Sequence, residues 1–238
     1  LFSNNENTEK KEENELYSFQ PCDEWKQKIK LEKERELAGF YLSSHPLKSY
    51  QPITKWFNLP TFGDVLEKIK NTKSTKEFEV IAYGFMQNHR EITTKKGSRM
   101  AFAQFEDFSS HCELIIFPKV FAKVETLLHE HKVFIIKGIV DLTATTKCKI
   151  KANEMIPVDL VFDDKKNIKY LNLELPEMLN ENVCNEIKNM LPPGKTPINL
   201  LFNENQDKLQ LRSTLKTNPT AENLKNMEKL GIKISCYL

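Results

Sequence analysis

Residues 78–92, FEVIAYGFMQNHREI, followed by TTKKGS at 93–98 and RMAFAQFED at 99–107, decide how this chain is read. The first run is rich in β-branched and aromatic residues, which fit a pleated, half-buried surface. The next six residues are polar and include a glycine, the composition of a turn between strands. RMAFAQFED then alternates, with Met100 and Phe102 on one face and Ala101, Ala103 and Phe105 on the other. The pattern predicts a hairpin of two long strands joined by a basic turn.

Downstream, CELIIF at 112–117 is short, apolar and followed by Pro118, which has no N–H to offer a central ladder. At 119–131 the period changes: Val120, Val124, Leu127 and Leu128 recur at helical spacing. VFIIKGIVDL at 133–142 and KCKIKANEMIPV at 147–158 return to strand composition. The order strand, strand, strand, helix, strand, strand predicts an OB-fold, a five-stranded Greek-key barrel whose outer face and loops hold oligonucleotides.

The remaining chain is hung on that barrel. Residues 3–15, SNNENTEKKEENE, are too polar to order themselves, so 1–20 is expected to be a flexible linker. Trp25, Ile29, Leu31, Leu37 and Phe40 have the spacing of an amphipathic helix running from Asp23 to about Gly39, and FGDVLEKIK at 62–70 that of another. Residues 21–75 thus form a helical connector and 76–162 the barrel. From 163 to 238 the pattern reads strand, helix, strand, strand, helix, strand, a small α+β domain. The predicted fold class is mainly β with α.

The chain has 238 residues, 39% of them hydrophobic and 29% charged, which is the make-up of a core-forming protein with a charged surface. No run approaches the ~20 apolar residues of a membrane span and no signal-peptide pattern opens the chain, so a cytoplasmic location is expected. Cys22, Cys112, Cys148, Cys184 and Cys236 are far apart with no CxxC pair, which argues against disulfides and zinc and for reduced, structural thiols. The net charge is +2, but basic residues outnumber acids across the barrel. The chain opens at Leu1 without methionine, and it is expected to be a piece of something longer.

For nucleic acid, Lys95, Lys96 and Arg99 surround Gly97 in the loop between strands one and two, where OB-folds bind. Arg90 precedes that loop. Phe102, Phe105, Phe108 and Phe85 are the aromatics available for stacking on bases, and alternation requires at least half of them to be core. Lys147 and Lys149 alternate with Cys148 and Ile150 and share an outward face on the fifth strand. Asp163-Asp164 reads as a solvated connector, and His129 and His131 are two apart, the wrong spacing for one helical face, so no metal site is expected. No phosphate-loop, dinucleotide or nucleophile-elbow motif occurs. The residues point to binding rather than catalysis.

EWKQKIKLEKERELAGFYLSSHPLKSY at 24–50, then TKKGSRMAFAQFED at 94–107 and ELIIFP at 113–118, resemble the C-terminal region of the alpha subunit of DNA polymerase III, the bacterial replicative polymerase. The resemblance implies an OB domain that binds single-stranded template, a terminal domain that contacts the clamp-loader subunit tau, and other replisome subunits as partners. It also implies that the metal-binding carboxylates of the polymerase palm, and the Mg²⁺ they hold, lie upstream, with no cofactor in this stretch. A sliding-clamp motif would end at Leu1 and Phe2. Where the family has glycine, this chain has Ser44 and Ser109-Ser110-His111, and serine's avoidance of positive φ predicts other turn types there. Two other readings of the same barrel are an anticodon-binding domain of an aminoacyl-tRNA synthetase and a protein-interaction module.

Overall fold

The computed structural model describes residues 23–71, 77–142, 147–163, 167–176, 181–204 and 207–238. The chain divides into two compact units, Leu1–His45 and Pro46–Leu238. The expected connector over 21–75 therefore falls partly in each. No helix among the described residues is long and apolar enough to cross a membrane.

In the first unit, α1 (Gln27–Ala38) starts later than its apolar spacing suggests and stops at Gly39, whose φ of 81° is open to glycine at little cost. The Gly39 N–H donates to the Arg35 carbonyl at 3.0 Å. The chain then folds back: the Glu34 carboxylate accepts from the Leu42 and Ser43 N–H groups at 2.8 and 2.9 Å, and Arg35 donates to the Tyr41 hydroxyl at 2.8 Å. Several residues of the long motif thus serve to terminate this helix. Of its expected apolar face, Leu31 is buried, whereas Trp25, Ile29, Leu37 and Phe40 are exposed.

The second unit begins with a 3₁₀ turn at Pro46–Tyr50, α2 (Gln51–Trp56) and α3 (Phe62–Asn71). It continues with β1 (Glu79–Thr93), β2 (Arg99–Glu106), β3 (His111–Ile116), α4 (Pro118–Glu130), β4 (Val133–Val140) and β5 (Cys148–Pro157). These five strands close into a barrel in the order β1-β2-β3-β5-β4. β1 is long enough to serve two partners, pairing antiparallel with β4 through Glu79–Phe85 and with β2 from Phe85 to Thr93. An irregularity in register between Met86 and Asn88 bends it between them, as a β-bulge does. β3 and β5 run parallel and complete the closure.

Alternation decides the interior. Ala82, Met86, Ala101, Ala103, Phe105, Leu114, Ile116, Phe134 and Ile136 fill the core, joined by Phe62 from α3 and Phe121, Val124 and Leu128 from α4. Gly84 is required where α3 docks, because a Cβ there would stand 2.7 Å from the Phe62 ring. The turn before β3 is organised by buried Asp107, which accepts from the N–H groups of Phe62, Ser109 and Ser110 and from the Ser109 hydroxyl. Ser109 Oγ in turn accepts from Gly63 N at 2.8 Å. Among the described residues only Asn58 is a non-glycine at positive φ, so Ser44, Ser109 and Ser110 do adopt turns that avoid it.

The C-terminal part is β6 (Tyr170–Glu174), α5 (Glu181–Met190), β7 (Pro193–Glu204), β8 (Asp207–Thr217), α6 (Ala221–Lys229) and β9 (Lys233–Tyr237), the element order expected. Its sheet runs β8-β7-β6-β9. Register shifts follow Pro193 and Pro197, residues without an N–H to pair. Tyr83, Val133, Ile135 and Ile156, on the barrel's other side, pack in one cluster with Leu171, Leu173, Ile198, Leu224, Met227 and Ile234. β4 is consequently buried on both faces, with Phe134 and Ile136 in the barrel core and Val133 and Ile135 in this second one.

Candidate nucleic-acid interface

The β1–β2 arm presents its turn to solvent. Thr94 N donates to Ser98 O at 2.8 Å and Gly97 N to Thr94 O at 2.9 Å, and Gly97 has a φ of 80° with open space around it. Lys95 and Lys96 sit exposed in this turn, and neither has an ion-pair partner among the described residues. Arg99 is placed differently. It donates through Nη2 to Glu91 and through Nη1 to Glu125 of α4 at 2.6 Å, and its guanidinium carbon lies 5.4 Å from the Phe121 ring centroid. Glu91 is held below the usual carboxylate range, chiefly by the Arg99 hydrogen bond, and Arg99 is raised by the same bond.

Register aligns the outer face of the barrel into rows. Arg90 on β1 lies opposite Phe102 on β2, Phe102 opposite Ile115 on β3, and Ile115 opposite Lys151 on β5. The neighbouring row is Asn88, Gln104, Glu113 and Lys149. Arg90 is exposed and Phe102 half-buried. Lys149 forms an ion pair with Glu113 at 3.1 Å, and Lys151 pairs with Glu77 and, at 3.8 Å, with Asp141. Lys147 is exposed just ahead of β5.

Phe105 corrects the sequence reading. It has no exposed surface and meets Phe134 edge-on at a centroid distance of 6.1 Å, so a base cannot stack on it. The core requires Ala101, Ala103 and Phe105 on one side of β2, which leaves Phe102 as the outward aromatic. Phe85 packs against the second core, and Phe108 is exposed at the turn before β3. Leu1 and Phe2 lie outside the described residues. Lys151 was not singled out from sequence, although the alternation that marked Lys147 and Lys149 extends to it.

Two further groupings were not foreseen. Cys112 and Cys148 are register partners across β3 and β5 and both are buried, which drives the Cys112 thiol far up and keeps it protonated. On the side of β1 opposite Arg90, His89 and Glu91 meet His129 of α4, the imidazole rings 5.1 Å apart at 72°. Burial, followed by the charge of His129, lowers the His89 pKa.

The family described as OB-fold nucleic acid binding domain, tRNA anti-codon type, matches residues 80–158. The DNA polymerase III alpha subunit of Aquifex aeolicus is 27% identical over 221 residues, 90% of this chain and 18% of that protein. The alpha subunit of Escherichia coli K12 is 26% identical over 222 residues, again 90% and 18%. That of Halalkalibacterium halodurans is 26% identical over 184 residues, 76% of this chain and 16% of the relative. This chain spans under a fifth of the length of these curated relatives. Around a closed OB-type barrel, and over most of its own length, the chain is similar to the alpha subunit of bacterial DNA polymerase III.

Proposed function

We propose that this chain is a binding portion of a replicative DNA polymerase, in which the barrel holds single-stranded template. The observation that carries this reading is the outward pair of Arg90 and Phe102 on the same β1–β2 arm whose turn bears Lys95 and Lys96. Unpaired cations track a phosphate backbone without reading sequence, while an aromatic face accepts any base. The strands and loops concerned are those with which OB-folds bind oligonucleotides. The C-terminal α+β part supplies a surface for the clamp-loader subunit tau, and Leu1-Phe2 match the last two residues of a sliding-clamp motif. In this role the chain binds rather than catalyses.

The name of the matched family favours a second reading, recognition of a tRNA anticodon. One experiment separates them: fluorescence anisotropy of the chain with labelled single-stranded DNA, duplex DNA and tRNA at two salt concentrations. Single-stranded DNA is expected to bind most tightly, without sequence preference and with strong salt dependence. Tighter binding of tRNA, or equal binding of duplex and single strand, would sink the polymerase reading.

A further inference from the structure

Three side chains distant in sequence converge on the side of the β1–β2 arm that faces α4. His89 and Glu91 leave β1 two residues apart and hence on one side, opposite Ala103 and Ala101 of β2. His129 comes to them from the last turn of α4. Glu91 Oε1 stands 3.7 Å from His89 Nε2 and 3.6 Å from His129 Nε2, and one ligand atom from each of the three lies within 4.8 Å of the others.

We propose that His89, Glu91 and His129 bind a divalent transition-metal ion of the zinc class. Two imidazoles and one carboxylate are a donor set that such ions take, with bonds of about 2.0–2.1 Å. Tetrahedral geometry at that length puts donor atoms about 3.3 Å apart, so the two carboxylate–imidazole separations need to close by only a few tenths of an ångström. The His129 side chain is 61% exposed, which gives the ion a path from solvent and leaves a fourth position for water.

The surroundings orient the carboxylate as metal sites require. Glu91 uses Oε2 to accept from Arg99 and so keeps Oε1 directed at the imidazoles. Arg99 is itself anchored by Glu125. Hydrogen bonding of a ligating carboxylate from behind fixes its orientation, and losing such support weakens metal binding. The charges of Arg99 and of Lys132, which acts on His89, offset those of Glu91 and Glu125, so binding is weaker than at a closed structural site. An ion here would join β1 to α4 and stabilise the folded chain by linkage, stiffening the arm that carries Lys95 and Lys96.

The test is titration of the full chain with cobalt(II), read by its visible absorption, with zinc as competitor, in a Cys22→Ser, Cys184→Ser background that removes the exposed thiol among the described residues and the one that lies outside them. One equivalent of cobalt is expected to bind with tetrahedral bands that zinc abolishes, and zinc is expected to raise the melting temperature. His129→Ala, at an exposed position, weakens affinity at least about tenfold, the scale of losing a ligand or its support. His131→Ala, whose side chain pairs with Asp159 at 3.6 Å instead, leaves it unchanged. Failure to saturate at one equivalent, or equal affinity in the His129→Ala protein, would overturn the site. His89→Gln provides a second ligand variant, and its melting curve shows whether the fold persists.

Discussion

Arg99 at the start of β2 donates to Glu91 across the β1–β2 hairpin, and this bond sets Arg99 apart from the two lysines of the basic loop. Glu125 of α4 takes the other side of the same guanidinium at 2.6 Å. Lys95 and Lys96 remain turned to solvent four and three residues earlier. Charge that looks continuous in sequence is partly consumed by structure.

The division predicts unequal effects on DNA binding. Each phosphate neutralised on a single strand contributes about −0.7 to the slope of log K against log salt. Replacing Lys95 and Lys96 together by alanine should flatten the slope by about 1.4, with the melting temperature unchanged. Arg99→Ala should leave the slope near wild type and lower the melting temperature, since it releases the arm from α4. Salt titrations of both variants decide the matter; an equal flattening by Arg99→Ala would mean that its carboxylate partners yield to phosphate.

Phe102 and Phe105 should separate binding from stability. Phe102→Ala removes the outward ring and is expected to weaken single-strand binding by ~1–3 kcal/mol. Phe105→Ala empties part of the barrel core and should cost ~3–5 kcal/mol of stability in denaturant unfolding. Unaltered DNA affinity in a folded Phe102→Ala protein would remove that residue from the interface.

The start of α3 carries a pH dependence. Asp64 accepts from the Thr61 N–H at 2.8 Å and the Thr61 hydroxyl at 2.7 Å, while Asp64 N donates to Thr61 Oγ1 at 3.1 Å. The backbone N–H and then the hydroxyl of Thr61 hold the Asp64 pKa below its ordinary value. A depressed carboxyl contributes fully above the unfolded value near ~4 and loses its contribution as pH falls through the folded one. Thermal melts from pH 6 down to pH 2 should therefore show wild type losing more stability below about pH 4 than Asp64→Asn. Parallel curves would deny the cap any such role.

Removing 163–238 should uncover part of the barrel. Tyr83, Val133, Ile135 and Ile156 lose their cover from the second sheet, leaving an apolar patch on the barrel. The truncated protein is expected to bind a hydrophobic dye and to melt at lower temperature than the full chain. A barrel that stays dye-negative with an unchanged midpoint would show that the shared core adds little.

Much of the architecture was legible in the residues because strand and helix periods are local properties. The alternation in RMAFAQFED separated Phe102 from Phe105, and the change of period after Pro118 located α4 between β3 and β4. The element order of the C-terminal part followed from the same local signals. What depends on partners at long range was not legible. The parallel pairing of β3 with β5 aligns Lys151 with Ile115 and, through β2, with Arg90, although no local pattern relates these strands. The bulge after Met86 turns His89 and Glu91 toward α4, and the helix then delivers His129 to them; spacing along α4 could test His129 only against His131. Local sequence sets which face a side chain takes, but only closure of the barrel and docking of its helix set what that face meets, because register and packing join residues that the chain keeps apart.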